Sequence, residues 1–250
     1  MKFVIDAGHG QNTAGKRCLK SLDPNETREW YLNQRIATEV VRLLKASGQE
    51  ARRSDDVTGV TDVSLSERCN IANTWGADAF ISIHHDSGVN GGSGGGATVF
   101  TYTTVSDVTK QLSQNIYTAY IEAGGIKGNR SEPIKTANFQ VLRGTSMPAI
   151  LIECGFMDSS VDVPIILSDQ FPLKAARGIA EGIAITFGFT IAEDAVDEQP
   201  TEKVHWAQAC LDSLVKKGII TDPTQWDDFN SSVSTLTVGQ LLALIDKATN

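Results

Sequence analysis

Lys2-Phe3-Val4-Ile5-Asp6-Ala7-Gly8-His9-Gly10 opens the chain, and its reading sets the fold class. Lys2–Asp6 reads as a short buried strand: three consecutive apolar residues run straight into a glycine-flanked turn. Outward from that strand the pattern changes period. Residues 11–28 are polar and irregular, a long loop. From Glu29 to about Ser47, Ile36, Val40, Leu43 and Leu44 share one helical face, and Gly48 is the stop. Glu50–Ser54 fits a short strand. Ser64-x-x-Glu67 is a capping box that opens a second helix to about Trp75. Ala79–His84 and Thr98–Tyr102 read as strands, and Ser106–Ala123 as a helix. Gln140–Arg143 is weakly strand-like. Ala149–Cys154 is nearly continuous in apolar residues, as a parallel strand covered on both faces should be, and Gln170–Phe187 is a helix. Strands alternating with helices predict an α/β fold, a mainly parallel twisted sheet flanked by helices.

Charge divides the chain. The net charge over 250 residues is −8. Residues 1–190 carry 18 basic and 20 acidic side chains, whereas residues 191–202 carry 5 acidic and no basic ones. That stretch, with Pro200, reads as an acidic linker. Residues 203–250 read as a small all-α C-terminal domain, with one helix around Trp206, Cys210, Leu214 and Val215 and another over about Val238–Ala248. At ~48 residues this tail is near the size that seldom holds itself together alone. The acidic balance argues against a nucleic-acid partner, which calls for a basic stripe. No stretch approaches the ~20 apolar residues of a membrane span, so no membrane insertion is expected. The apolar run after Met1 is far short of the roughly 7–15 residues of a signal peptide, so the expectation is synthesis in the cytoplasm without one. Cys18, Cys69, Cys154 and Cys210 show no metal-binding spacing and are expected to be free thiols.

Three polar groups close predicted strands. His9 follows the first, His84-His85 end the strand from Ala79, and Glu153 ends Ile150-Leu151-Ile152. In open α/β sheets, sites lie beyond the carboxyl ends of the strands. A carboxylate closing an apolar strand costs free energy unless it is paired or functional. Imidazoles with carboxylates are the usual donors of a catalytic zinc with an open position. His84 and His85 point to opposite faces of a regular strand, so the two cannot both approach one ion. A further ligand must come from elsewhere: Glu29, at a helix start that favours its charge, or Glu26 as its rival. Each signal alone is weak, since a histidine beside glycines is more often packed than ligating. Asp6 and Asp86 are candidates to orient imidazoles, or are turn formers. Gly88–Gly96 lacks the Gly-Lys-Ser/Thr ending of a phosphate loop, and is a flap or a plain connector.

Four ordered motifs carry a resemblance. Phe3-Val4-Ile5-Asp6-Ala7-Gly8-His9-Gly10, Glu29-Trp30-Tyr31-Leu32-Asn33-Gln34-Arg35-Ile36-Ala37, Phe80-Ile81-Ser82-Ile83-His84, and Val141-Leu142-Arg143 followed by Met147–Phe156 together resemble the zinc-dependent N-acetylmuramoyl-L-alanine amidases of type 3. The likeness spans about residues 1–190. It implies one zinc ion on His9, Glu29 and His84, Glu153 as the catalytic carboxylate, and cleavage of bacterial peptidoglycan between the lactyl group of N-acetylmuramic acid and L-alanine. Arg143 is a candidate for a stem-peptide carboxylate, or a salt bridge within the fold. A chain of this kind without an export signal implies release to the wall by a holin or by lysis.

His205-Trp206-Ala207, Lys217-Gly218-Ile219-Ile220 and Val238–Leu244 resemble one unit of an S-layer-homology module. That implies wall targeting or a homodimer through the tail. Two other activities compete with the amidase: a zinc peptidase cutting within the stem peptide, and a non-catalytic wall-binding protein, for which an intact Glu153 is awkward.

Overall fold

The computed structural model describes residues 1–193. The acidic linker beyond residue 193, the tail with His205 and Cys210, and its two expected helices lie outside the described residues.

Six strands, β1 (Lys2–Ala7), β2 (Glu50–Arg53), β3 (Ala79–Asp86), β4 (Thr98–Thr101), β5 (Ile134–Thr136) and β6 (Ala149–Phe156), form one sheet in the order β2-β1-β3-β6-β4-β5. β2, β1, β3 and β6 pair in parallel. β4 runs antiparallel to β6, and β5 pairs parallel with β4. The helices are α1 (Glu29–Ala46), α2 (Leu65–Trp75), α3 (Asp107–Glu122), α4 (Gln140–Arg143), α5 (Val163–Ile166) and α6 (Gln170–Phe187). The fold is therefore the mainly parallel, helix-flanked sheet that the alternation predicts.

Two local expectations change. Gln140–Arg143 is a single helical turn, not a strand. Its apolar pair Val141 and Leu142 packs in the cluster with α2 and β6. The loop over residues 11–28 carries an isolated antiparallel bridge, Arg17 to Arg28. β5 and α5 are too short to leave a periodic signal. The capping box is half-formed: the Ser64 hydroxyl accepts from the Glu67 N–H.

The alternation of side chains along the strands splits the core in two. Phe3, Ile5, Ala7, Ile81, Ile83, Ile150 and Ile152 face the larger cluster, with α1, α3 and α6. Val4, Phe80, Ala149 and Leu151 face the smaller one, with α2 and α4. Three helices of 16 to 18 residues thus cover one face, while 11- and 4-residue helices cover the other. The third helix on the thick side packs closely: a Cβ on Gly182 of α6 would fall 2.3 Å from the Ile116 Cα of α3. Cys18, Cys69 and Cys154 are buried free thiols.

On the thinner side one ion pair ties sheet to helix. Arg68 of α2 is 1% exposed and donates to the Asp6 carboxylate at 2.7 Å. Its other donors go to the carbonyls of Ala7, His9 and Val63. Ser54 and Ser82 complete the Asp6 shell. Asp6 therefore serves Arg68 and touches no imidazole, so the expectation that it orients one is corrected. Burial works to raise the Asp6 pKa, but the Arg68 charge and the three hydrogen-bonding side chains hold it below the ordinary carboxylate value.

Asp6→Asn leaves Arg68 without its buried counter-charge, with only the half-exposed Asp62 to pair with. The expected loss is about 3–5 kcal/mol of stability, read as a lower urea or thermal midpoint at pH 7. Asp6 ionises at lower pH folded than unfolded. Its contribution is thus complete above the unfolded value, ~3.9, and drains away as pH falls through the folded one. The gap between native chain and variant should close in acid; a gap of constant size down to pH 3 would contradict this.

Candidate active site

The carboxyl ends of β1, β3 and β6 meet at a cavity of about 550 Å³ on the thinly covered face. His9, His84 and Glu153 line it, with Lys16, Arg68 and Phe139 among its walls. Each functional side chain arrives there for a local reason. β1 ends at Ala7, and His9 turns out of it with φ 68°, a left-handed conformation rare for a residue with a side chain. Gly8 lies so close under the His84 ring that a Cβ would fall 2.0 Å from Cε1, so only glycine fits there. His84 and Glu153 are register partners on adjacent strands, β3 and β6. Glu29 is the first residue of α1, where an acidic side chain suits the helix end.

These elements bring His9, Glu29 and His84 together: one donor atom from each lies within 4.8 Å of the other two. His84 Nδ1 is 3.0 Å from Glu29 Oε1, and His9 Nε2 is 3.3 Å from the same oxygen. Glu29 is fully buried, yet its Oε2 has no hydrogen-bond partner, and neither has His9 Nε2. A buried polar atom left unpaired costs roughly 1–3 kcal/mol, and such orphans mark the place of an ion or water. Two imidazoles and a carboxylate with orphaned donor atoms fit a divalent metal such as zinc, leaving positions open for water and substrate.

Charge follows geometry. Burial works to raise the Glu29 pKa, but the His84 hydrogen bond and the close approach of His9 hold it well below the ordinary value. Burial works to lower His84, yet its hydrogen bond and attraction to Glu29 leave it raised. Glu153 has no such neighbour on its Oε2, which is buried and unpartnered. Burial pushes it up to about 8, with the His84 charge only partly opposing.

The other candidates go elsewhere. His85 points to the opposite face of β3, as strand alternation requires, and burial takes it down to about 4. Glu26 lies 3.1 Å from Arg17 and 3.9 Å from Lys20, outside the three-donor group. Asp86 is raised by burial and lies 4.0 Å from Arg130. Arg143 lines a separate cavity of about 270 Å³ with Tyr102 and Met147, and donates to Asn138. The start of the glycine run is held rather than loose: Asp158 Oδ2 accepts from the N–H groups of Gly88, Val89 and Asn90.

Two residues matter more than their sequence signals suggested. Asn33, one turn along α1 from Glu29, donates to the Gly8 carbonyl and reaches Glu29 Oε1 at 3.5 Å. Its own oxygen lies 2.8 Å from His85 Nδ1. The His85 N–H also donates to Glu29 Oε1. The i, i+4 spacing of Glu29 and Asn33 was the available clue. Arg68 is the other, visible beforehand only as a charge inside a helix.

A parallel-sheet edge that gathers a three-donor group able to hold a metal and, beside it, a second buried carboxylate is an arrangement suited to metal-assisted hydrolysis. The sequence narrows this class. Residues 3–185 match the family model described as N-acetylmuramoyl-L-alanine amidase, and the chain belongs to that family. It is 34% identical over 190 residues to the N-acetylmuramoyl-L-alanine amidase CwlM of Bacillus licheniformis, covering 76% of this chain and 70% of that one. It is 35% identical over 187 residues to the sporulation-specific N-acetylmuramoyl-L-alanine amidase of Bacillus subtilis, covering 75% and 68%. Its fold superposes on the crystal structure of an N-acetylmuramoyl-L-alanine amidase from Clostridium difficile with a TM-score of 0.66 and 29% identity, covering 74% of this chain and 96% of that one.

Replacing Asn33 by leucine removes the side chain that steadies both Glu29 and the Gly8 turn. Zinc affinity of the chain, measured by competition with a chromogenic chelator, is expected to fall about 10–100-fold with the fold intact. Unchanged affinity would show that Asn33 does not position the donor group.

Proposed function

We propose that this chain hydrolyses the amide between the lactyl group of N-acetylmuramic acid and L-alanine of the stem peptide, with one zinc ion on His9, Glu29 and His84 and with Glu153 as general base. The observation that carries this reading is the placement of Glu153. A buried carboxylate with an open oxygen stands across one strand pair from His84, in the same cavity as the three-donor group. Family membership and the named relatives supply the substrate.

Zinc supplies Lewis acidity toward the scissile carbonyl and the attacking water. The protein does the rest. Glu29, held ionised by its two histidines, offers the negative charge that retains a dication. His85 N–H and Asn33 keep that carboxylate from turning. Glu153 takes the proton of the attacking water on Oε2 and returns it to the alanine nitrogen as the C–N bond breaks. The apolar strand Ile150–Ile152 dries the carboxylate and makes it the stronger base.

The same reading assigns catalysis to residues 1–190. Residues 191–202 are proposed as an acidic linker, and residues 203–250 as a wall-targeting or dimerising unit, supported by the likeness to an S-layer-homology unit. Comparing the full chain with residues 1–193 for pelleting on cell walls, and for mass in solution, separates targeting from dimerisation.

Digestion of purified peptidoglycan tests the activity. New N-terminal alanine with intact lactyl groups is expected. Other new amino ends would favour a stem-peptide peptidase, and no new ends a binding protein. Glu153→Gln should lower turnover at least about 100-fold, a typical general-base contribution, while zinc content by mass spectrometry stays at one ion. Retained turnover would remove Glu153 from the base role.

A further inference from the structure

We propose that Lys16 recognises a free carboxylate on the peptide side of the scissile amide, an inference that rests on the amidase reading above. The cavity walls hold two permanently cationic side chains among the described residues, Lys16 and Arg68. Arg68 is spent: Asp6, Asp62 and three backbone carbonyls take its donors. Lys16 is not. Its Nζ lies 3.6 Å from Glu29 Oε2, close enough for attraction and too far for a good hydrogen bond. The side chain is 44% exposed, and its ammonium carries three donors, which Glu29 alone does not use up.

The backbone beneath Lys16 is fixed, while its side chain has only Glu29 as an ion-pair partner among the described residues. The Lys16 carbonyl accepts from the Glu29 N–H at 3.0 Å, and Arg17 and Cys18 continue the pairing with Arg28 and Thr27. The lysine is thus anchored to the residue that starts α1, and its reach is set by its four-carbon stem. A dication held by Glu29 offsets that carboxylate's pull on Lys16. The ammonium then needs another anion.

The remaining charges of the cavity decide which. Asp6 and Asp62 also line it and are paired with Arg68, so among the described residues Lys16 is the cation of the cavity wall left to meet an anionic substrate group. An ammonium on a half-exposed side chain is poorly placed to stabilise charge developing on the carbonyl, which calls for fixed donors shielded from water. It suits recognition of a carboxylate as a point charge. On the sugar side of the bond the lactyl carboxyl is itself the amide. A free carboxylate near the reacting bond therefore belongs to the peptide, first on the γ-linked D-glutamate that follows alanine.

The test uses the full chain loaded with zinc and two synthetic muramoyl tripeptides. These are identical except that the α-carboxyl of the γ-linked D-glutamate is free in one and a primary amide in the other. The native chain is expected to favour the free carboxylate by about 10-fold in kcat/KM, the scale of one charge-assisted hydrogen bond. Lys16→Met should bring that ratio near one, with the loss in KM for the free carboxylate; Lys16→Arg should keep most of the preference. Binding of both peptides to Glu153→Gln chains with and without Lys16→Met, by calorimetry, should show the same change of ratio without turnover. Equal handling of the two substrates by the native chain would overturn the proposal. So would a Lys16→Met defect that is equal on both substrates or is accompanied by loss of zinc. Cleavage of neither substrate by the native chain would remove the amidase reading, and this proposal with it.

Discussion

Glu29 stands at the start of α1 with its carboxylate wholly out of water, and it must stay ionised there. An isolated buried carboxylate would neutralise itself rather than bear the desolvation cost. Several parts of the fold converge to prevent this. β1 ends in a turn that carries His9 back over the sheet, β3 presents His84 through one face and the His85 N–H through its edge, and α1 returns Asn33 one turn later. Remove any one and the charge loses a partner while remaining buried. The placement of α1 against β1 and β3 is therefore an electrostatic requirement as well as a hydrophobic one.

The sheet distributes its labour by parity. Residues alternate between a thick layer of three long helices and a thin layer of α2 and α4. His84 and Glu153 lie on the thin side, where the cavity opens; His85 lies on the thick side, beside Phe171 of α6. Arg68 compensates for the thin cover. It ties α2 to the end of β1 by an ion pair and by carbonyls that the turn after β1 would otherwise leave unpaired.

Much of this was legible in the chain. Apolar strands such as Ala149–Cys154 and the periodic face of α1 carry strong signals because burial on two faces or on one stripe demands them. Strand alternation put His84 and His85 on opposite faces and the family resemblance chose His84, whereas preferring Glu29 to Glu26 rested on helix position and that same resemblance. Gln140–Arg143 misled because four residues hold too little pattern to distinguish a strand from one helical turn. The Asp6–Arg68 pair joins residues far apart in the chain, and no local spacing announces such a partnership. Arg143 drew attention as a charge in a motif, but its guanidinium turns to Asn138 on another surface. Long-range pairing of charges, rather than secondary structure, is what the sequence concealed.

The glycine run after β3 has a thermodynamic consequence. Six of the nine residues from Gly88 to Gly96 are glycine, so ordering this segment costs more chain entropy than ordering almost any other of its length. Two carboxylates offset that cost, Asp158 for Gly88, Val89 and Asn90, and Asp162 for Gly96. Both belong to the segment that leaves β6 just beyond Glu153, and Asp162 also accepts from the Phe156 N–H at the end of that strand. The order of the loop is thus coupled to the strand that carries Glu153. Melting the one loosens the anchor of the other, so the two should gain and lose protection against hydrogen exchange as a single cooperative unit.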